Sequence, residues 1–262
     1  MAGASDAGVR RALILAAGRG RRLGRLTDRG PKCLLTIGGR TLLDWQIAAL
    51  RRAGIEEIAI VVGYRGETVS RLGWTVYRNE RWETSNMVRS LLCAREAWRD
   101  ESCVIVYGDI AFHPDHVVRL SAARCGIAIT CDLGWRSLWE ERFERPEDDA
   151  ESLTIEDGRV VEIGARVHDR AGLDAVTGQY MGLLLLRPSG AHAVLDHVAT
   201  LSDEEVERLQ TTELLDALAR RGVAIEAVPV DGRWCEVDRA SDLALYEARL
   251  ESPEPWRHDW RF

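Results

Sequence analysis

The residues with the plainest chemical purpose are Gly18, Gly20, Arg21 and Arg22, followed by Pro31 and Lys32. Two glycines in a tight turn let the backbone pass close to a ligand and aim successive N–H groups at it, which suits a chain of phosphates. Arginines in the same turn supply forked cationic donors for those oxygens, and Lys32 adds a flexible ammonium nearby. The turn is not a P-loop, because no Lys-Ser or Lys-Thr pair closes it, and it is not the GxGxxG dinucleotide fingerprint. Farther along, Gly108 and Asp109 follow the apolar run Val104 to Tyr107. A carboxylate at the carboxyl end of a parallel strand lies in the crevice where open α/β sheets take ligands. Asp109 would either cap the turn that follows or hold a metal. Its place, after a strand and downstream of a phosphate-binding turn, favours the metal.

The elements that must position these groups follow from apolar spacing. A strand over 11–15 runs into the glycine turn. Thr41 caps a helix reaching Ala53, and Ile58 to Val62 forms a second buried strand closed by Gly63-Tyr64-Arg65-Gly66. This order makes a right-handed crossover of a parallel sheet. A short strand covers Thr75 to Tyr77, and a helix opens at Met87 after Thr84-Ser85-Asn86. Ser85 or Asn86 would cap that helix, or its start would read a base edge. Val104 to Tyr107 is the central strand, and Ile127 to Cys131 leads another into Asp132. Trp135, Trp139 and Phe143 share one helical face, a pattern used for packing more often than for a cation cage. An acidic segment, Glu144 to Glu151, follows.

Asp157-Gly158 turns a hairpin between Leu153–Ile155 and Val160-Val161. Gln179 to Leu186 returns to the sheet. Helices are expected at 189–201 and at 211–221, the second capped by Thr211 or Thr212. Strands over 224–228 and 233–237 precede a helix from Ala240 to Leu250. His113 and His116 read as surface side chains beside a turn, with no third metal ligand signalled.

Composition narrows the class. The 262 residues accommodate one large α/β domain, and a net charge of −7 argues against a general nucleic-acid binder. The glycine turn is nevertheless locally basic. Six cysteines without a CxxC pair suit a reducing, cytoplasmic setting, and no apolar run is long enough to span a bilayer. No GxSxG nucleophile motif occurs.

The run Leu15-Ala16-Ala17-Gly18, Gly20, Arg22-Leu23, Thr27 and Pro31-Lys32-Cys33-Leu34-Leu35 resembles the opening signature of the nucleotidyltransferase superfamily that makes activated sugars and alcohols. Arg25 stands where many members carry proline. The segment Asn79 to Arg95 resembles the small cytidylyltransferase branch acting on phosphocholine or 2-aminoethylphosphonate. Trp234-Cys235-Glu236-Val237-Asp238 is similar to the superfamily's closing segment, whose aspartate shares a metal with the first one.

The resemblance implies a Rossmann-like, three-layer, mixed but mostly parallel sheet with a small β section covering the acceptor. Residues 9–252 would form the domain, with a nucleotide-binding half at 9–131 and an acceptor-binding half at 132–252. Residues 1–8 and 253–262 would be tails, the second packed on the body or on a partner subunit. It further implies nucleotide contacts from Leu15, Ala16, Ala17, Gly18, Gly20, Arg21, Arg22, Ser85, Asn86 and Gly108, and catalytic roles for Lys32, Arg22 and Asp109. Mg2+ would sit on Asp109 and Asp238, with Glu236 a further carboxylate. The acceptor contacts expected with it are Lys32, Asp132, Trp135, Gln179, Tyr180, Gly182 and Glu236.

The leading expectation is transfer of a cytidylyl group from CTP to a small phosphate or phosphonate, without nucleic acid or membrane, in a monomer or homodimer. Sugar-1-phosphate nucleotidyl transfer from UTP, dTTP or GTP is the runner-up, and a non-catalytic nucleotide-binding regulator is the alternative of another class.

Overall fold

The glycine turn owes its position to a strand buried on both faces. The computed structural model describes residues 8–262, so all but the last residue of the expected N-terminal tail lie outside it. Strand β1 (Arg11–Ala16) sends Ala12, Ile14 and Ala16 into one core layer and Leu13 and Leu15 into the other. That is why its sequence reads as a continuous apolar run.

Beyond the turn, a small hairpin of β2 (Thr36–Ile37) and β3 (Arg40–Thr41) feeds α1 (Leu42–Arg52). Thr41 Oγ1 accepts from Asp44 N at 3.0 Å, as its position before the apolar periodicity predicts. Next come β4 (Glu57–Val62), α2 (Gly66–Ser70), β5 (Thr75–Arg78), α3 (Met87–Cys93) and β6 (Cys103–Tyr107). The chain continues through β7 (Ile110–Phe112), α4 (Pro114–Ser121), β8 (Ile127–Asp132) and α5 (Trp135–Arg142). Strands β9 (Glu151–Glu156) and β10 (Arg159–Arg166) form the hairpin. Its turn has Asp157 at φ 47° and Gly158 at φ 73°, the left-handed pair that a two-residue hairpin favours. Then follow α6 (Arg170–Ala175), β11 (Gln179–Leu186), α7 (Pro188–Val198), α8 (Asp203–Arg208), α9 (Thr211–Arg220), β12 (Ile225–Val230), β13 (Trp234–Glu236) and α10 (Ala240–Glu251).

Nine strands form one sheet in the order β5-β4-β1-β6-β11-β8-β12-β10-β9. Only β11 and β10 run against the other strands, so the sheet is mixed and mostly parallel, with helical layers on both faces. A separate two-stranded ribbon pairs β7 with β13, Ile110 opposite Glu236.

Several local expectations change. Helix α8 has no counterpart among the predicted elements; it is short and charged, and the Ser202–Glu205 capping box starts it. Helix α9 is capped by Gln210 with Glu213, not by Thr211 or Thr212, which lie one and two residues inside it. Asn86 occupies the cap position of α3 but its side chain accepts no cap hydrogen bond; its amide nitrogen donates to Arg208 O. His113 and His116 are buried rather than superficial. His113 caps α4 and His116 packs inside it, since that helix is amphipathic and lays this face on the sheet. The last residues pack on the body: Trp260 is fully buried, with ring centroids 6.2 Å from Trp45 and 6.4 Å from Tyr246. All six cysteines are unpaired, and among the described residues no helix is long and apolar enough to cross a membrane.

Candidate active site

Two glycines set the turn against its neighbours. Gly20 has φ 71°, a conformation open to glycine, and a Cβ there would stand 3.1 Å from the Lys32 side chain. Gly108 leaves no room for any side chain, because its Cβ would lie 2.6 Å from Leu15 O, while its N–H donates to that oxygen at 2.9 Å. The ends of β1 and β6 therefore touch, and Asp109 emerges beside the turn.

The ribbon of β7 and β13 brings the distant carboxylates to the same place. Val237 N donates to Asp109 O at 2.9 Å, and this register sets Glu236 and Asp238 beside Asp109. The three carboxylates offer oxygens all within 4.8 Å of one another. Lys32 Nζ donates to Asp109 Oδ2 at 3.0 Å and to Asp238 Oδ1 at 2.6 Å, and Arg22 reaches Asp238 at 3.0 Å. On the far side lies Arg142, its side chain wholly buried, 3.2 Å from Glu236, 3.7 Å from Asp238 and 3.3 Å from Asp242. Asp242 in turn accepts from the N–H groups of Asp238 and Arg239, holding the segment in place.

Burial pushes the Asp238 carboxyl up, but Lys32, Arg22 and Arg142 outweigh it and hold the group below the usual carboxylate range. Glu236 goes the other way, raised by burial and by the neighbouring charge of Asp238. Lys32 remains firmly protonated: burial disfavours its charge, and Asp109 and Asp238 more than compensate. Such a group of carboxylates accommodates a hard divalent cation.

Two cavities meet here. One, of about 410 Å³, is lined by Leu15 to Gly18, Gly20 to Arg22, Lys32, Ser85, Asn86, Gly108, Asp109 and Asp238. Every expected nucleotide contact thus borders a single cleft. Ser85 and Asn86 border it with their side chains already engaged: Ser85 Oγ accepts from Asn79 at 3.0 Å, and Asn86 donates to Arg208. Arg81 and Arg89 pair with Asp203 and Glu207, tying this loop to α8.

The second cavity, of about 280 Å³, shares Arg22, Met87, Asp109 and Asp238 with the first and adds Gln179, Tyr180, Gly182 and Glu236 from the expected acceptor set. Lys32, also expected there, borders only the first cavity, and Asp132 and Trp135 border neither, which corrects the sequence reading. Asp132 is fully buried and accepts from Gly134 N, Gly232 N and Trp234 Nε1 at 2.8, 2.9 and 2.7 Å, so it organises turns. Trp135 is buried in the core, because the face of α5 that carries it packs inward. The cavity instead draws on Trp139, Asp149, Glu151, Gln210, Thr211 and Thr212, none of them foreseen in that role except Trp139 as a cage candidate. The acidic run before β9 was the visible signal for Asp149 and Glu151; nothing local pointed to the start of α9.

Residues 12–139 match the MobA-like NTP transferase domain. Across 250 residues, covering 89% of this chain and 98% of the relative, the sequence is 33% identical to the CTP:phosphoglutamine cytidylyltransferase of Campylobacter jejuni. The chain is a nucleotidyltransferase. This nucleotidyltransferase is also 30% identical, over 95% of its length, to the CMP-5'-(3-aminopropyl)phosphonate synthase of Streptomyces rubellomurinus, of which it spans 40%. Its fold matches the inositol-1-phosphate CTP transferase from T. maritima with a TM-score of 0.71 at 22% identity, covering 95% of this chain and 99% of that one.

Proposed function

We propose that the protein transfers a cytidylyl group from CTP to the phosphate or phosphonate oxygen of a small acceptor, with Mg2+ as cofactor, releasing pyrophosphate. The observation that carries this reading is the convergence of Lys32, Asp109 and Asp238 where the two cavities meet. The activities named for its relatives support the cytidylyl donor and the phosphate-bearing acceptor.

An acceptor oxygen attacks the α-phosphorus, forming a new O–P bond. The bond from that phosphorus to the β-phosphate oxygen breaks, and pyrophosphate leaves with the electron pair. Both reactants are anionic, so charge and alignment dominate the barrier. Arg22 and the backbone of Gly18 to Gly20 hold the β- and γ-phosphates. Lys32 neutralises charge on the acceptor phosphate or developing on the α-phosphate. No general base is required, because the attacking oxygen is already ionised at neutral pH.

Asp109, Glu236 and Asp238 fit the expected cation. Their oxygens cluster within 4.8 Å, and Asp109 Oδ1 is buried without a hydrogen-bond partner. Bound there, Mg2+ would offset triphosphate charge and polarise the α-phosphate.

The test is pyrophosphate release with Mg2+, using each common nucleoside triphosphate against phosphocholine, aminoalkyl- and hydroxyalkylphosphonates and hexose 1-phosphates. Release restricted to CTP with a non-sugar acceptor supports the reading. Release with UTP or dTTP and a hexose phosphate overturns it.

A further inference from the structure

Resting on that reading, we propose that the acceptor carries a protonated amine bearing N–H groups, held by Glu151 and Asp149 in the wall of the second cavity. Both carboxylates line that cavity. Among the described residues Glu151 takes part in no ion pair, and the cations near Asp149 are shared: Arg22, at 3.8 Å, also faces Asp238, and Arg142, which acts on Asp149 from farther off, pairs with Glu236 and Asp242. A carboxylate enclosed without a counter-charge is costly, and an arriving ammonium removes the cost. Burial, with Asp149 and Glu213 nearby, outweighs the Thr212 hydroxyl and the charge of Arg166 and pushes the Glu151 carboxyl up to about 7.

A second observation also points to a ligand. Trp139 lines the same cavity and is 4% exposed, yet its indole N–H has no hydrogen-bond partner. A buried donor of this kind calls for an oxygen of the bound molecule.

The aromatic surroundings distinguish a hydrogen-bonding ammonium from a quaternary one. A quaternary head group needs open ring faces around it. Here the Arg142 guanidinium already lies over the Trp139 ring, 5.1 Å from its centroid, and Trp135 is outside the cavity. Tyr107 and Tyr180 pack against each other edge to face at 5.5 Å. The polar groups that remain, Glu151, Asp149 and the hydroxyls of Thr211 and Thr212, suit N–H donors.

The experiment compares kcat/KM for 2-aminoethylphosphonate with its neutral isostere propylphosphonate, for 3-aminopropylphosphonate with butylphosphonate, and for phosphocholine. Each is measured with Mg2+ and with CTP or UTP, in wild-type protein and in E151Q. The amines are expected to exceed their isosteres and phosphocholine by on the order of 100-fold. In E151Q that ratio should collapse toward one, mainly through KM, and E151D should restore part of it. Retained CTP binding shows that E151Q is folded. Equal use of the neutral isosteres or of phosphocholine overturns the inference, as does an equal loss on all acceptors in E151Q. So does the absence of both turnover and equilibrium binding for both amines. An amine preference that appears with UTP in place of CTP overturns the donor reading and leaves the amine site standing.

Discussion

Lys32 Nζ lies 3.0 Å from a carboxylate oxygen of Asp109 and 2.6 Å from one of Asp238, bridging residues 77 and 206 positions away along the chain. The side chains of Lys32 and Asp238 are 11% and 10% exposed, so removing the ammonium leaves charge that water screens poorly. Lys32→Met should abolish measurable turnover and destabilise the fold by about 3 kcal/mol, at the low end for a broken buried pair because Arg22 and Arg142 still face Asp238. Urea unfolding reads the loss. Adding Asp109→Asn should recover part of it; strictly additive losses would show that the two groups are not coupled.

Asp109→Asn tests the metal assignment. The residue stands at a strand end with an unpartnered oxygen, so the fold should survive while pyrophosphate release falls by about two to three orders of magnitude. Near-wild-type rates at saturating Mg2+ would remove Asp109 from the cation site.

Asp132→Ala separates architecture from acceptor recognition. Three N–H groups, among them the Trp234 indole, lose their acceptor at a fully buried site. Stability should drop by at least about 3 kcal/mol. Acceptor preference, measured as the ratio of kcat/KM values in the folded protein, should stay as it was. A change in that ratio would return Asp132 to the acceptor site.

His116 makes stability depend on pH. Burial, with His113, Arg233 and Arg119 nearby, holds the ring neutral down to about pH 3, against an ordinary value of 6.5. Below pH 6.5 the unfolded chain takes up a proton that the folded one refuses. The stability associated with the neutral ring is therefore complete above 6.5 and declines as pH falls toward 3, by up to about 1.4 kcal/mol per unit. Between pH 7.5 and 5.5, His116→Gln should lose about 1 kcal/mol less than wild type in urea titrations. Identical losses would show that this ring does not sense the pH change.

Much of the site was legible in the chain because it is local. A strand, a glycine turn with arginines, and Pro31-Lys32 lie within about twenty residues, and their spacing alone implies a phosphate cleft. The strand alternation that packs β1 into both core layers is equally local, as is the Asp157-Gly158 turn, since backbone preference decides each within a few residues. Asp238 was visible only through resemblance, because no spacing rule relates it to Asp109.

What only the tertiary structure decided is which distant polar groups meet. The β7–β13 ribbon sets Glu236 and Asp238 beside Asp109, and the side-chain partners of Lys32 exist only once that ribbon forms. Asp132 is the last residue of β8 and Asp109 lies two residues past the end of β6, so the local signals of the two aspartates are alike. One faces the cleft with an unpartnered oxygen, and the other is consumed by three buried donors. Similarly, Trp135 and Trp139 share a helical stripe, but only Trp139 reaches the second cavity, where Glu151 and the start of α9 arrive from other parts of the chain. Composition and periodicity specify which residues leave water; which polar group each buried one meets depends on contacts between segments far apart in sequence, and those are fixed only by packing.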